Sequence, residues 1–446
     1  MALWIIVVAT TGAGTYLLWR LRFEPIIVAI VVSGISLCVY YLSYTSLEER
    51  NYDGSSHLEY IRIVAEQLRL PDTYECGACG HPPLYYMLGA FWSKILGGWM
   101  PEELGLAWLS LLLFLSFVTF ALLIVRSCSS EPNTLRLAAI LVTFWPSSII
   151  NSVRIHNDAL ASPLMLAALF FIAQWDRKDR LRDFYLALLA CALALLTKSS
   201  GYAVAATFLA VMVLRLFSPE LGRNATRWSV GVKQAVSALL VLAGAAFFAV
   251  GLRESQESST LCQKVLGHAC DGRYVPLVVD SASRYLFFDV SDFIVRMDTQ
   301  PLDPARDYFF NRLLKSSLFG TMPIGVEFAS KWHATLGALM SALLLALLAI
   351  CLSGARLIRR ADFRECRAYL ASIVIFVVFL LAFRLRAHNE FHEDFRHIFA
   401  ALVPLCLVYV MVVERLRPIN KALYVLSAAT GVAMALLSAA FFVSAL

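Results

Sequence analysis

Long apolar runs separated by short polar connections set the pattern of this chain. Twelve such runs can be read, at about 3–19, 26–45, 105–125, 137–152, 159–175, 184–197, 201–217, 235–252, 333–353, 368–383, 399–413 and 422–444. At 1.5 Å per residue, a helix of about 20 residues crosses roughly 30 Å of hydrocarbon. The pattern predicts an all-α polytopic membrane protein with about 12 transmembrane helices (11–13, because the runs at 137–152, 184–197 and 399–413 are short). Residues 1–446 read as a single transmembrane domain with two long polar interruptions, 46–104 and 253–332.

Composition agrees with that pattern: 59% of residues are hydrophobic and only 16% are charged, too few charges for an ordinary soluble domain. Orientation follows from the basic residues. With residue 53 outside, 20 of the 38 Lys and Arg fall in six short inner connections, including the cluster Arg177, Lys178, Arg180 and Arg182 and the cluster Arg356, Arg359, Arg360, Arg364 and Arg367. The inner side then carries a net +11 and the outer side −5, as the positive-inside rule requires. The overall charge of +6 is therefore a topology signal and not a nucleic-acid footprint. No basic residue precedes the first run, and Arg20 and Arg22 follow it. It reads as a retained helix with its N-terminus outside, not as a signal peptide.

Of the ten cysteines, Cys76, Cys79, Cys262 and Cys270 lie outside, where two disulfides with three pairings are available. A local Cys262–Cys270 bridge is the first expectation. Cys76-Gly-Ala-Cys79 also has the spacing of a redox pair or half a zinc site, but no second metal half-site accompanies it.

Both long outer loops contain amphipathic stretches. His57–Arg69 places Leu58, Ile61, Val64, Ala65 and Leu68 on one helical face, with Pro71 beyond it. Asp307–Gly320 has the same character and closes on a glycine. Each is predicted to lie on the membrane surface, apolar side down.

The residues fit for chemistry also gather outside. Asp53, His57 and Tyr60 stand at i, i+4 and i+7, one face of a helix starting near Asp53. Capping would account for Asp53 but not for His57 and Tyr60. His81-Pro82-Pro83-Leu84-Tyr85-Tyr86 forces an extended entry into the next helix, and the two prolines do not themselves require His81. Arg154, His156, Asn157 and Asp158 stand at the outer junction of two helices, where charge is costly unless it faces a polar cavity. Lys198 occupies a short outer turn, placed to meet a phosphate or to reach headgroups. Arg384, Arg396 and His397 belong to a charged outer segment whose cations suit an anionic headgroup. Two carboxylates, Asp53 and Asp158, with cations at His81, Lys198 and Arg396 suit transfer from a lipid phosphate. A carboxylate takes the acceptor's proton, and cations stabilise the departing phosphate.

These pieces, in this order, resemble the GT-C superfamily of integral-membrane glycosyltransferases, among them protein O-mannosyltransferases, the aminoarabinose lipid A transferase and arabinofuranosyltransferases. The resemblance rests on Tyr52-Asp53, His57 and Tyr60; His81-Pro82-Pro83-Leu84-Tyr85-Tyr86; Asn157-Asp158; Thr197-Lys198; Leu314–Gly320; and Arg396-His397, and it spans roughly 46–405. It implies a polyprenyl-phosphate sugar donor, a protein, glycan or lipid hydroxyl acceptor, an inverting displacement, and a site on the outer face of a membrane such as the bacterial inner membrane. By position, Asp53 is implied as the base and Asp158 as a second catalytic acid, with His81, Lys198 and Arg396 at the donor phosphate. His57, Tyr60, Tyr85, His156, Asn157 and His397 are implied as acceptor-side or supporting residues. A divalent cation (Mg, Mn or Ca) shared by Asp53 and His57 is compatible with the resemblance, though many members work without an obligatory metal. Membrane lipids are the expected surroundings.

Two features depart from the family pattern: two helices, not one, precede Asp53, and no large C-terminal soluble domain is present. Loop 253–332 is then the candidate for contacting acceptor or donor. Two other readings compete. An O-antigen ligase or polymerase would concentrate its key residues in one late outer loop, and a secondary transporter would carry charge near the bilayer midplane.

Overall fold

A computed structural model of the chain describes residues 2–51, 53–216, 225–254, 282–296, 308–320, 330–358, 360–386 and 393–444. Among these residues the protein is all-helical. Eight helices of the described residues are long and apolar enough to cross a membrane: α1 (Ala2–Arg20), α2 (Pro25–Tyr44), α6 (Glu102–Cys128), α9 (Asp158–Lys178), α16 (Lys331–Gly354), α17 (Arg360–Arg386), α18 (Leu402–Leu416, preceded by a 3-10 stretch at Phe395–Ala401) and α19 (Lys421–Val443). The run expected at 137–152 is broken into α7 (Pro132–Phe144) and α8 (Pro146–Ser152), which meet at 56°. Pro146 lacks an N–H, and the residue before a proline is driven out of the helical region, as Trp145 is at φ −61°, ψ 134°. The runs at 184–197, 201–217 and 235–252 correspond to α10 (Leu181–Leu195), α11 (Gly201–Leu216) and α12 (Ala225–Glu254).

The ends of the bundle sort as the charge pattern requires. At one end the Tyr44 hydroxyl donates to the Phe442 carbonyl (2.6 Å), and Ser444 Oγ meets His333 Nε2 (3.1 Å). At the other end Arg136 pairs with Glu24 (2.8 Å), Arg417 with Glu131 (2.7 Å), and Ser129 and Thr134 donate to Glu414. Every one of these basic contacts joins connections assigned to the inner side. Spans approach closely where side chains are small: a Cβ on Gly34 of α2 would fall 2.0 Å from Thr143 Cγ2 of α7.

Both amphipathic stretches of the outer loops are helical and pack on protein along much of their apolar faces. The first amphipathic helix, α4 (Gly54–Gln67), follows a single turn, α3 (Leu47–Arg50), and packs on α5 (Leu84–Leu96). Leu58, Ile61 and Ala65 join Tyr85, Tyr86, Ala90, Leu106 and Ile155 in a small core of their own. The helix stops before Pro71, at Leu68 in the left-handed region (φ 51°). The second, α15 (Phe309–Phe319), is buried on nearly every side. Asn311, Arg312, Lys315, Ser316 and Ser317 are enclosed along with its apolar residues. Trp145 Nε1 donates to the Ser317 carbonyl (2.8 Å), and the Phe395 N–H donates to Ser316 Oγ (2.8 Å). On α4 the apolar face is covered at Leu58, Ile61 and Ala65, while Leu68 at its end stays exposed.

Cys76 and Cys79 are joined in a disulfide within the small core. The expected Cys262–Cys270 bridge lies outside the described residues, as does most of loop 253–332.

Candidate active site

Five segments converge at one end of the bundle. Asp53 leads into α4, whose first turn carries His57. His81 precedes α5, and the non-helical stretch 153–157 leads into α9 at Asp158. The turn 196–200 joins α10 to α11, and Glu393–His397 opens the last-but-one span. They are laced together by bonds to backbone carbonyls. Asn51 Nδ2 donates to the Ile155 carbonyl (2.8 Å), Asn157 Nδ2 to Thr197 O (3.4 Å), and the Leu84 N–H to Leu196 O (3.2 Å).

Asp53 occupies the N-cap position of α4 but makes no side-chain cap bond. Its Oδ2 instead accepts from Arg396 NH1 (3.2 Å) and lies 3.7 Å from His57 Nε2. Burial acts to raise the Asp53 pKa. The Arg396 guanidinium, then the His57 hydrogen bond and the charges of His57 and His156, outweigh it and hold the carboxyl well below the usual range. Asp53 Oδ1 is buried without a hydrogen-bond partner.

Asp158 is the first residue of α9. Its Oδ2 takes the Lys198 ammonium at 2.5 Å and stands 3.5 Å from His156 Nδ1, while Oδ1 is buried without a hydrogen-bond partner. Burial lowers the Lys198 pKa and Asp158 partly restores it. Both ring nitrogens of His156 are buried without a hydrogen-bond partner. Burial pushes His156 well below its ordinary value, with Asp158 opposing and Arg154, Arg396 and Lys198 reinforcing the shift. The imidazole is therefore neutral at physiological pH.

Aromatic side chains wall the site. The His57 ring is parallel to that of His81, with centroids 5.8 Å apart, and its Nδ1 meets the Tyr86 hydroxyl at 2.8 Å. Tyr60 stacks on Tyr86 at 3.7 Å, and its hydroxyl donates to the His81 carbonyl at 3.5 Å. Sequence reading singled out Tyr85, which is fully buried behind Tyr86. Tyr86, its neighbour, is the residue that touches His57. Helical phase from Leu84 could have separated the two. His397 turns toward Phe383 (5.6 Å, edge-on), so its ring packs beside the charged cluster. Arg384, expected to face a headgroup, is fully buried and donates to Glu393 (2.7 Å), which also pairs with Arg284 (2.9 Å).

For the suggested metal pair, His57 Nε2 stands 3.7 Å from Asp53 Oδ2, and Asp53 Oδ1 has no hydrogen-bond partner. Among the described residues no three His, Cys, Asp or Glu side chains gather around one point. His57 Nδ1 is engaged by Tyr86, and Arg396 and Lys198 already supply positive charge to the two aspartates.

The arrangement is two carboxylates a few residues from the membrane, each with one cation and one oxygen left over, beside a neutral imidazole. Such a site can accept hydroxyl protons and hold an anion together.

Residues 80–246 match the family model of dolichyl-phosphate-mannose-protein mannosyltransferases. The matched segment contains His81, Asp158 and Lys198 and leaves Asp53 and Arg396 outside it. Among solved structures, the chain is similar to an oligosaccharyltransferase of Archaeoglobus fulgidus, in complex with Zn and sulfate, at 15% identity and a TM-score of 0.48, covering 93% of this chain and 53% of that one. The chain thus spans about half the length of that protein. It is also similar to ArnT from Cupriavidus metallidurans, at 14% identity in both states. The apo state covers 92% of this chain and 77% of that one (TM-score 0.43). The state bound to undecaprenyl phosphate covers 89% and 79% (TM-score 0.37). No curated protein sequence matches the chain.

Proposed function

We propose that this protein is a GT-C-type membrane glycosyltransferase. It moves a sugar from a polyprenyl-phosphate donor to a hydroxyl of a protein, glycan or lipid acceptor, on the outer face of the membrane, with the bacterial inner membrane as the setting. The observation that carries the reading is the convergence of Asp53–Arg396 and Asp158–Lys198, two carboxylate–cation pairs brought from four chain segments to one end of an apolar bundle. The family match over 80–246 supports it.

Asp53 is the base. As the acceptor oxygen bonds to the anomeric carbon, its proton passes to Asp53. The bond from that carbon to the phosphate oxygen breaks on the opposite face, its electron pair leaving with the polyprenyl phosphate. The anomeric configuration inverts. Arg396 and Lys198 stabilise the phosphate as its charge grows, and His81 faces the same space. The resting ion pair makes Asp53 a weak base. A donor phosphate competes for Arg396, and each increment of Arg396 drawn away raises the basicity of Asp53 just where an acceptor needs it. Asp158 and the neutral His156 have acceptor atoms left over for sugar hydroxyls.

The test is transfer from polyprenyl-phosphate sugars to membrane-extract acceptors by the purified protein. Asp53→Asn is expected to lower kcat by about 10²–10⁴-fold, the usual contribution of a general base, with undecaprenyl-phosphate binding retained. Wild-type activity in Asp53→Asn would remove this residue from the chemistry and the proposal with it.

A further inference from the structure

Arg154 is among the largest fully buried side chains of the molecule, 1% exposed, and among the described residues no carboxylate pairs with it. A guanidinium in such a place needs a reason, since an uncompensated buried cation is expensive. Its contacts supply one. Nε donates to the Arg50 carbonyl (2.5 Å), NH1 reaches Asn151 Oδ1 (3.3 Å), and its own carbonyl accepts from Ser110 Oγ of α6 (2.6 Å). The neighbouring Ile155 carbonyl takes Asn51. The NH2 corner fits against Gly320, where any Cβ would fall 3.1 Å from it. Gly320 ends α15 at φ +69°, a conformation that itself favours glycine.

These contacts form a closed circuit. Arg154 holds the segment 50–51 that leads directly into Asp53, and it lies against the C-terminal end of α15. Along α15, Ser316 holds the backbone of Phe395. The next residue is Arg396, which returns to Asp53. The Arg154 NH2, at the Gly320 corner, is buried without a hydrogen-bond partner, and the charges of Asp394 and Asp53 act favourably on the guanidinium without pairing with it.

We infer that Arg154 is a positioning residue: it touches neither substrate nor the reacting atoms, and it sets the Asp53–Arg396 geometry by joining the first outer loop to α15. The inference rests on the glycosyl-transfer reading for its kinetic arm only.

The test uses the full-length protein in lipid nanodiscs with Arg154→Met, Arg154→Lys and Gly320→Ala. Loss of the join lets Asp53 drift, and misplacement of a reacting group by about 1 Å costs on the order of 10²-fold. Arg154→Met is therefore expected to lower kcat by about tenfold or more while donor KM stays within about twofold. Arg154→Lys, which keeps one donor and the charge, recovers part of kcat. Gly320→Ala, which crowds the guanidinium without removing it, gives the same split in a milder form. A rise in donor KM at unchanged kcat would show that Arg154 binds donor directly and would overturn the inference. Amide hydrogen exchange supplies a readout without substrate. Peptides covering 50–57 and 309–319 should exchange faster together in Arg154→Met. Unchanged exchange in both overturns the join whatever the kinetics. If Arg154→Met does not fold, the other two variants decide by the same criteria. If wild-type protein transfers no sugar, the functional reading fails and exchange alone judges the join.

Discussion

Asp53 and Asp158 are both legible as candidates in the sequence, but their circumstances differ in a way no spacing reveals. Asp53 stands where a helix cap should be and spends its carboxylate on Arg396, 343 residues away. Asp158 is closed off by Lys198, so truncating either partner of that pair leaves a buried charge uncompensated, at about 3–5 kcal/mol. Lys198→Met should accordingly lower thermal stability more than the double variant with Asp158→Asn does, as thermal unfolding in one detergent would record. His156 carries a pH prediction. Its buried imidazole stays neutral while the unfolded one takes a proton below about pH 6.5. The unfolded state thus binds more protons, and stability falls as pH drops through that value. Between pH 7.5 and 5.5 the wild-type Tm should fall more steeply than that of His156→Gln. Asp53 contributes with the same sign only at lower pH, below its unfolded value near 4. A slope unchanged in His156→Gln would mean that another group governs this window.

Amphipathic helices expose the limit of periodicity at the level of elements. Apolar spacing located α4 and α15 correctly along the chain, yet the surface that receives them is protein. A lipid interface and a helix–helix contact ask for the same apolar stripe, so pattern alone does not separate them. In α15 the discriminating signal is its polar half: Asn311, Lys315, Ser316 and Ser317 face partners, and an interfacial helix would turn such groups to water. Ser316 is the residue where this matters most. Ser316→Ala strands the buried Phe395 N–H, a loss of about 1–3 kcal/mol. It should lower Tm and weaken donor binding, because Arg396 follows Phe395 directly. Unaltered donor affinity in a destabilised Ser316→Ala protein would separate α15 from the site.

At the scale of the molecule, one end carries the candidate site and the other carries the basic connections. Ser444 meets His333, and Phe442 meets Tyr44, at the same end as the two aspartates' loops. A C-terminal alkaline phosphatase fusion should therefore be active and a green fluorescent protein fusion dark. The reverse pattern would invert the topology and move the site to the cytoplasmic face. The order of the apolar runs, and the placing of Asp53, His81, Asp158, Lys198 and Arg396 in the connections between them, were determined by sequence alone; how many of those runs become helices long enough to span, eight or nine among the described residues, was not. Bilayer insertion reads local apolar length and flanking charge, and both are written in consecutive residues. Which cation faces which carboxylate, that Tyr86 and not Tyr85 meets His57, that α15 is interior, and that a buried arginine joins the outer segments were decided only by tertiary structure. Those are contacts between segments tens to hundreds of residues apart, set by how the helices pack rather than by anything in their own pattern.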